Sequence, residues 1–149
     1  MTYRYLEDFE SGQVHEAGSA LVELPEIVAF ARRYDPQPFH LDDAAAKASI
    51  FKGMTASGWF TAALTMRLAV LSGVMEATGI IGAAIDELRW PMPVRPGDML
   101  HTSLEVLDVR PSAHGKPRGI VSVRLTTRNQ NDEIVFSEIA RLVVPRRPS

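Results

Sequence analysis

The first half of the chain carries apolar residues at helical spacing. In LPEIVAFARRY (24–34), Ile27 and Phe30 fall on one face of a helix. The prolines that follow push the residues before them out of helical space, so this helix should end near Tyr34. The pattern therefore predicts a helix that stops abruptly before the stretch YDPQPFHLD.

Two further helical segments precede the middle of the chain. DDAAAKAS (42–49) is predicted to be a short helix with acids in its first turn, where the helix dipole favours negative charge. WFTAALTMRLAVLSGVM is apolar around most of its circumference, which predicts a long buried helix over residues 58–75. Ahead of these helices, residues 14–24 read as an extended segment interrupted at Gly18.

The second half is rich in Ile, Val, Leu and Thr. IIGAAIDELRWPMPV, MLHTSLEVLDV, GIVSVRLTTRN and EIVFSEIARLVV read as strands, and RPGD, HGKPRG and NQND carry residues typical of turns. Helices followed by strands predict one α+β domain over residues 1–149. A mostly antiparallel sheet should wrap around the long apolar helix.

Composition fits an ordinary globular protein, with 149 residues, 46% apolar residues and a net charge of −2. No basic excess favours nucleic acid or an anionic membrane as a partner. The absence of cysteine excludes disulfides, thiolate catalysis and Cys-type zinc sites. Residues 53–75 are long enough to span a bilayer, but Arg67 near the centre favours a buried helix instead. MTYRYLEDFE lacks the pattern of a secretory signal, so a cytoplasmic location is expected.

The stretch YDPQPFHLD holds the strongest candidate chemistry. Prolines on both sides of Gln37 stiffen the backbone between Asp35 and His40, and such rigidity suits a preorganised site. His40 precedes the helix predicted from Asp42, whose positive end disfavours an imidazolium, so a neutral imidazole is expected. A carboxylate and a neutral imidazole that converge can hold one water and move protons in both directions.

Other interpretations of these residues stay open from spacing alone. Asp35 could simply end the preceding helix, and His40 could be exposed. His40 and Asp42 have no third ligand at local spacing, so no metal site is predicted. The other histidines form no pattern, because His15 and His101 fall in strand-like segments and His114 falls in a turn.

Three segments, YDPQPFHLDDAAA, FKGMTASGWFTAALTMRL and PMPVRPGDML, resemble the MaoC-like dehydratase family, which includes the R-specific enoyl-CoA hydratases. The family signature reads roughly G-D-x-N-P-x-H-x-D. Four residues match it in register: Asp35, Pro38, His40 and Asp42. Gly58 matches the glycine that begins the central helix of the family, and the resemblance covers about residues 6–145.

The resemblance implies a hot-dog fold, in which an antiparallel sheet curls around the helix at 58–75. It implies a homodimer with an acyl-CoA groove near the subunit interface. It also implies that Asp35 and His40 are catalytic and activate one water, while the backbone N–H of Gly58 forms the oxyanion hole for the thioester oxygen. A helix N-terminus favours the enolate charge that develops there. The candidate substrate-binding residues are Gln37, Ser57 and Trp59.

The sequence departs from the family pattern at three positions. Tyr34 stands in place of the signature glycine, and Gln37 stands in place of asparagine. Met66 falls where some hydratases carry a serine. These departures leave the Asp35 and His40 pair intact and affect the acyl pocket.

Several residues outside the motif admit two interpretations. Arg67 could bind a CoA phosphate or a substrate carboxylate, but a structural ion pair is favoured because buried arginines are usually paired. Trp59 and Phe60 could line an acyl tunnel, although core packing is the default for such residues. Four cations could meet the CoA phosphates but are predicted to be ordinary solvated charges: Arg89, Arg95, Lys116 and Arg118.

The resemblance thus implies reversible syn hydration of a trans-2-enoyl thioester to the R-3-hydroxyacyl thioester, with no cofactor beyond the thioester itself. Acyl-CoA is the expected substrate, and an acyl carrier protein thioester is the close variant. Two alternatives remain. A hot-dog thioesterase would cleave the C–S bond, and a non-catalytic protein would bind acyl thioesters without turnover.

Overall fold

A computed structural model describes residues 3–76 and 79–149 of the chain. These residues form one sheet of five strands, β1 (Val14–Leu21), β2 (Ile81–Arg89), β3 (Met99–Pro111), β4 (Arg118–Arg128) and β5 (Ile134–Pro145). The strand order is β1-β3-β4-β5-β2, and all neighbouring strands pair antiparallel. The predicted α+β class with an antiparallel sheet is therefore confirmed.

The helices of the described residues are α1 (Leu24–Tyr34), α2 (Asp43–Ala48) and α3 (Gly58–Leu71). Short 3₁₀ turns occur at Leu6–Asp8, Pro38–His40 and Ala113–Gly115. None of the helices in this part of the chain is long and apolar enough to cross a membrane.

The central helix α3 is shorter than the sequence predicts. The apolar pattern continues to residue 75, but α3 ends at Leu71. The N–H of Ser72 bonds to the carbonyl of Leu68, and Gly73 then takes φ +78°. That left-handed conformation breaks the helix and is tolerated best by glycine.

The interrupted strand at Gly18 is confirmed. The register of β1 against β3 shifts between Glu16 and Gly18, and Gly18 has φ +99°. A glycine in this conformation is the usual mark of a β-bulge, which bends the strand. Leu68 of α3 lies against the bulge, so the bend helps the sheet to curl around the helix.

Buried hydroxyl groups fix α3 on the inner face of the sheet. Thr65 of α3 hydrogen bonds to Thr127 of β4 at 2.7 Å, and Thr127 bonds to Thr102 of β3, also at 2.7 Å. All three side chains are buried, and each bond removes a polar group that would otherwise be unsatisfied. Apolar clusters pack on both sides of this contact, one toward β4 and β5 and one beneath α1.

The prediction of a long buried helix is met by only part of the surface of α3. The sheet covers one side only, and Met66 and Val70 remain 39% and 52% exposed on the other. The edge strand β2 is uncovered as well, since Ile85 projects from the inner face opposite buried Ala140 yet is 44% exposed. We call Met66, Val70 and Ile85 the open face.

Candidate active site

The prolines after α1 bring Asp35 and His40 together. Asp35 ends α1, with its N–H bonded to the carbonyl of Ala31, and the Pro38–His40 turn then returns the chain toward the carboxylate. The Nε2 atom of His40 lies 3.3 Å from Oδ2 of Asp35. His40 is buried, which excludes the interpretation of an exposed histidine.

The second ring nitrogen of His40 determines what the first can do. Nδ1 lies 2.7 Å from the carbonyl oxygen of Thr55. A carbonyl only accepts, so Nδ1 carries a hydrogen and Nε2 of a neutral ring offers its lone pair toward Asp35. Two acceptors that face each other can share one proton or bind both hydrogens of a single water.

The carboxylate of Asp35 is held by two side-chain donors. The hydroxyl of Ser57 donates to Oδ2 at 2.6 Å, and the amide of Gln37 donates to Oδ1 at 2.7 Å. Burial raises the pKa of Asp35, but the hydrogen bonds from Ser57 and Gln37 and the nearby His40 outweigh it and bring the pKa below its ordinary value. Asp35 is therefore ionised at neutral pH.

The candidate substrate-binding residues Ser57 and Gln37 both contact the carboxylate. Ser57 is fully buried, and its hydroxyl also accepts from the N–H of Trp59 at the start of α3. Its place is thus behind Asp35 rather than on the cavity wall. Gln37 is exposed and does line the cavity.

A cavity of about 430 Å³ opens in front of the pair. Asp35, His40 and Gly58 contribute to one part of its wall. The rest is largely apolar and includes Phe39, Phe51, Trp59, Trp90, Met92 and Val135. Sequence reasoning missed Trp90 and Met92, and the proline-rich run WPMPV after β2 is the signal that could have indicated a shaped wall.

Gly58 begins α3 beside Trp90. The indole N–H of Trp90 donates to the carbonyl of Gly58 at 2.8 Å, and a Cβ placed on Gly58 would lie 2.6 Å from the indole ring. Only glycine fits there without displacing the ring. The N–H of Gly58 is in the first turn of α3 and has no acceptor among the residues described, as expected for a helix start.

Trp59 differs from the core default, whereas Phe60 follows it. Trp59 is 58% exposed and packs edge-to-face on Trp90 with ring centroids 5.0 Å apart, while Phe60 is buried. Helical geometry explains the difference, because successive residues of α3 point about 100° apart and only one can face the sheet.

Asp42 and two arginines also take definite places. Asp42 caps α2 through a 2.8 Å bond from the N–H of Ala45, so its carboxylate is not shared with His40.

Arg67 is exposed and pairs with no carboxylate of residues 3–76 or 79–149, so the burial that favoured a structural ion pair is absent. Arg95 is wrongly predicted as a solvated charge, because its guanidinium bonds to the carbonyls of Phe51, Gly53 and Met54. The remaining three cations are exposed: Arg89, Lys116 and Arg118.

Comparison with known proteins gives matches along nearly the whole chain. The model of the MaoC like domain matches residues 11–129. The crystal structure of a MaoC-like dehydratase from Rhodospirillum rubrum has a TM-score of 0.93 at 49% identity, covering 98% of this chain and 99% of that one. An uncharacterized protein of Bacillus subtilis (strain 168) is 34% identical over 141 residues, which is 95% of this chain and 99% of that protein. An R-hydratase from Pseudomonas aeruginosa has a TM-score of 0.74 at 29% identity, covering 96% and 86% of the two chains.

A structural match also identifies the fold. A protein of Mycobacterium tuberculosis described as having a double hot-dog fold matches with a TM-score of 0.81 at 21% identity. The match covers 99% of this chain and 46% of that one, so that protein is about twice as long. The order β1-β3-β4-β5-β2 around α3 is thus a hot-dog fold, as predicted. The match of the MaoC like domain over residues 11–129 shows that the chain belongs to the MaoC-like hydratase and dehydratase family.

Proposed function

We propose that the protein reversibly hydrates trans-2-enoyl-CoA to R-3-hydroxyacyl-CoA. One observation carries the proposal: Nε2 of His40 and Oδ2 of Asp35 lie 3.3 Å apart on the wall of a largely apolar cavity that also holds the N-terminus of α3. Membership of the hydratase and dehydratase family and the likeness to an R-hydratase support the same reaction.

Asp35 and His40 activate one water in this mechanism. The water donates its hydrogens to Oδ2 and Nε2, and its oxygen adds to C3 of the enoyl group. The pair takes one proton from the water and returns one proton to C2, so that no net proton is gained or lost. Since both groups lie on the same side of the substrate, hydroxyl and hydrogen arrive on one face and the addition is syn.

The thioester oxygen lies at the start of α3 in this proposal. Hydration develops enolate charge on that oxygen, and a helix N-terminus stabilises negative charge. The N–H of Gly58 is the proposed donor, because it lacks an acceptor among the described residues and Gly58 lines the cavity. Trp59 and Trp90 then provide apolar walls for the acyl group, and Gln37 contributes by holding the carboxylate.

Two copies of the chain form the active protein in this proposal. The open face leaves apolar side chains of α3 and the inner side of β2 uncovered, and no strand of the described residues pairs with the outer edge of β2. Exposed edges and apolar faces are usually covered in stable assemblies. The double hot-dog protein of M. tuberculosis supports a second copy as the cover, because it holds two such folds in one chain.

A panel of trans-2-enoyl-CoA esters, assayed by loss of the conjugated-thioester absorbance, tests the reaction. We expect turnover of at least one ester, with an R product from syn addition in deuterated water. Release of free thiol without hydration would favour a thioesterase, and anti addition would contradict a single water shared by the pair.

Light scattering tests the assembly. We expect a dimer at micromolar concentration with an interface above about 1,000 Å². Changing Ile85 and Val70 of the open face to aspartate should give monomers, whereas a monomeric wild-type protein would contradict the proposed assembly.

A further inference from the structure

The turn RPGD (95–98) contributes no side chain to the cavity lining, yet its arginine is bonded to the loop that supplies Phe51, Thr55 and Ala56 to that lining. The guanidinium of Arg95 donates to the carbonyls of Phe51 at 2.6 Å, Gly53 at 3.0 Å and Met54 at 3.2 Å. It has no carboxylate partner within the described residues. The cation therefore holds a segment of backbone rather than balancing a charge.

The segment that Arg95 holds has little structure of its own. It joins α2 to α3 without regular secondary structure, and Lys52 within it has φ +58°, a strained conformation for a residue with a side chain. A second anchor comes from the residue before Arg95. The N–H of Ala56 and the hydroxyl of Thr55 both donate to the carbonyl of Val94, at 2.9 Å and 3.2 Å.

Both groups of the proposed catalytic pair depend on this segment. The carbonyl of Thr55 receives Nδ1–H of His40, and the hydroxyl of Ser57 donates to Asp35. Met54, whose carbonyl Arg95 holds, directly precedes Thr55. A shift of the backbone at Met54 would thus move the group that orients the imidazole.

The arginine extends from a rigid base. Pro96 and Gly97, with φ +88° at the glycine, form the middle of a turn closed by a 3.1 Å bond from the N–H of Asp98 to the carbonyl of Arg95. The carboxylate of Asp98 accepts from the N–H of Arg95 at 2.8 Å and from the amide of Gln130 at 2.9 Å. This anchoring limits the positions that the guanidinium can reach.

We propose that Arg95 is a positioning residue, which fixes the Thr55 carbonyl and thereby holds His40 with Nδ1 protonated and Nε2 turned toward Asp35. The kinetic consequence rests on the proposed function, whereas the effect on the imidazole does not. Lysine cannot replace this role, since one ammonium on a flexible stem does not match three carbonyls as a planar guanidinium does.

The kinetic test compares Arg95→Ala with Arg118→Ala. Arg118 is an exposed arginine at the start of β4 and serves as the control. We expect Arg95→Ala to lower kcat by about 10- to 100-fold, the scale of a misplacement near 1 Å. KM should change by less than about threefold, because no substrate contact is lost. Methylguanidinium should restore part of kcat in Arg95→Ala, and methylammonium should not. Arg118→Ala should behave as the wild type.

The spectroscopic test follows the imidazole nitrogens of His40 by ¹⁵N NMR, with His40→Asn used to assign them. We expect one tautomer with hydrogen on Nδ1 in the wild type, and a mixture of tautomers in Arg95→Ala. This readout needs no turnover. If the wild type hydrates no enoyl-CoA, the proposed function fails while the spectra still decide the role of Arg95.

A folded Arg95→Ala variant with unchanged kcat and an unchanged His40 spectrum would overturn the inference. If Arg95→Ala does not fold, Arg95→Lys decides in its place, because it keeps the charge and the aliphatic stem. Reduced kcat with a mixed tautomer in Arg95→Lys supports the role. Wild-type kcat and a wild-type spectrum in Arg95→Lys overturn it.

Discussion

The regions around Asp35 and Glu138 each hold a carboxylate shielded from water, but they treat it in opposite ways. The side chain of Asp35 is 18% exposed, accepts hydrogen bonds from Ser57 and Gln37, and faces His40. Glu138 of β5 is 6% exposed and lies on the inner face of the sheet, opposite buried Leu125. It has neither a donor nor a cation within residues 3–76 and 79–149.

Burial is the largest influence on both carboxylates, yet their charges are affected differently. Burial raises the pKa of Asp35, but its donors and His40 bring it below the ordinary value. Burial alone acts on Glu138 and raises its pKa above the ordinary value. Glu138 is the more deeply buried of the two and lacks donors among the described residues, whereas the donors to Asp35 outweigh its partial burial. Burial and the supply of hydrogen-bond donors together thus distinguish a carboxylate that stays ionised, as a base must, from one whose charge is disfavoured.

Removing the charge or its partner at the Asp35 region should have the largest effect. Asp35→Asn and His40→Asn should each lower hydration at least about 100-fold, as expected for loss of a general acid or base. Because one water is shared, the double variant should lose far less than the product of the two single losses. Steady-state kinetics on an active enoyl-CoA ester measures all three variants, and Glu138→Gln is the matched control.

The two single variants should differ in stability. Asp35→Asn keeps an acceptor for Ser57, so its melting temperature should change little. His40→Asn leaves the buried Thr55 carbonyl without its donor, which should cost about 1–3 kcal/mol. Near-normal turnover in either folded variant would contradict the proposed mechanism, and Asp35 would then differ from Glu138 in its charge but not in its role in catalysis.

Local sequence patterns predicted the antiparallel sheet, and the family resemblance added the hot-dog fold and pointed to Asp35 and His40, which the structure brings to 3.3 Å. The bracing prolines and the motif identified Asp35 and His40, and alternation in the second half identified the strands. The role of Arg95 could not be predicted, because its partners are carbonyls of Phe51, Gly53 and Met54, which any sequence would supply.

Long-range packing explains the other differences. Trp90 follows β2 and lies 32 residues after Gly58 along the chain, so no local spacing predicts their contact. The early end of α3 depends on one glycine within an apolar run. Glu138 falls at an inward position of β5, where the alternation predicts an apolar residue. Its burial therefore appears only once the register of the sheet is known.

Ser57→Ala sharpens the comparison by making Asp35 more like Glu138. Without the 2.6 Å bond from Ser57, only Gln37 and His40 counteract the effect of burial, so the pKa of Asp35 should rise. The lowered pKa of Asp35 stabilises the wild-type protein at pH values above the pKa of an unperturbed carboxyl group. This stabilisation is lost as the pH falls through the pKa of Asp35 in the folded protein. In Ser57→Ala the stabilisation should shrink, and hydration should fall at least about 10-fold, the scale of one hydrogen bond to a charged group.

Carboxyl ¹³C titration of labelled aspartate, together with kinetics, measures the Ser57→Ala effect. Ser72→Ala is the control, since Ser72 also caps α3 but at its other end and does not touch Asp35. An unchanged Asp35 titration in folded Ser57→Ala would show that burial, Gln37 and His40 set its charge without Ser57.

Glu138→Gln should have the smallest effect, and the opposite sign. A raised pKa means that the folded protein favours the protonated carboxyl, so stability is greatest below the ordinary value of 4.5 and declines as pH rises through the folded value. Glutamine has nearly the same shape and no charge to desolvate. The variant should therefore melt roughly 2–4 °C higher than the wild type at neutral pH, which is about 1 kcal/mol for a domain of this size. The melting temperatures of the two proteins should converge in acid.

Glu105→Gln, on the outer face and 3.4 Å from Arg124, is the control and should change stability little. A lower melting temperature for Glu138→Gln at neutral pH would mean that the carboxylate gains a donor in the assembled protein, and the contrast with Asp35 would then hold only for the isolated chain.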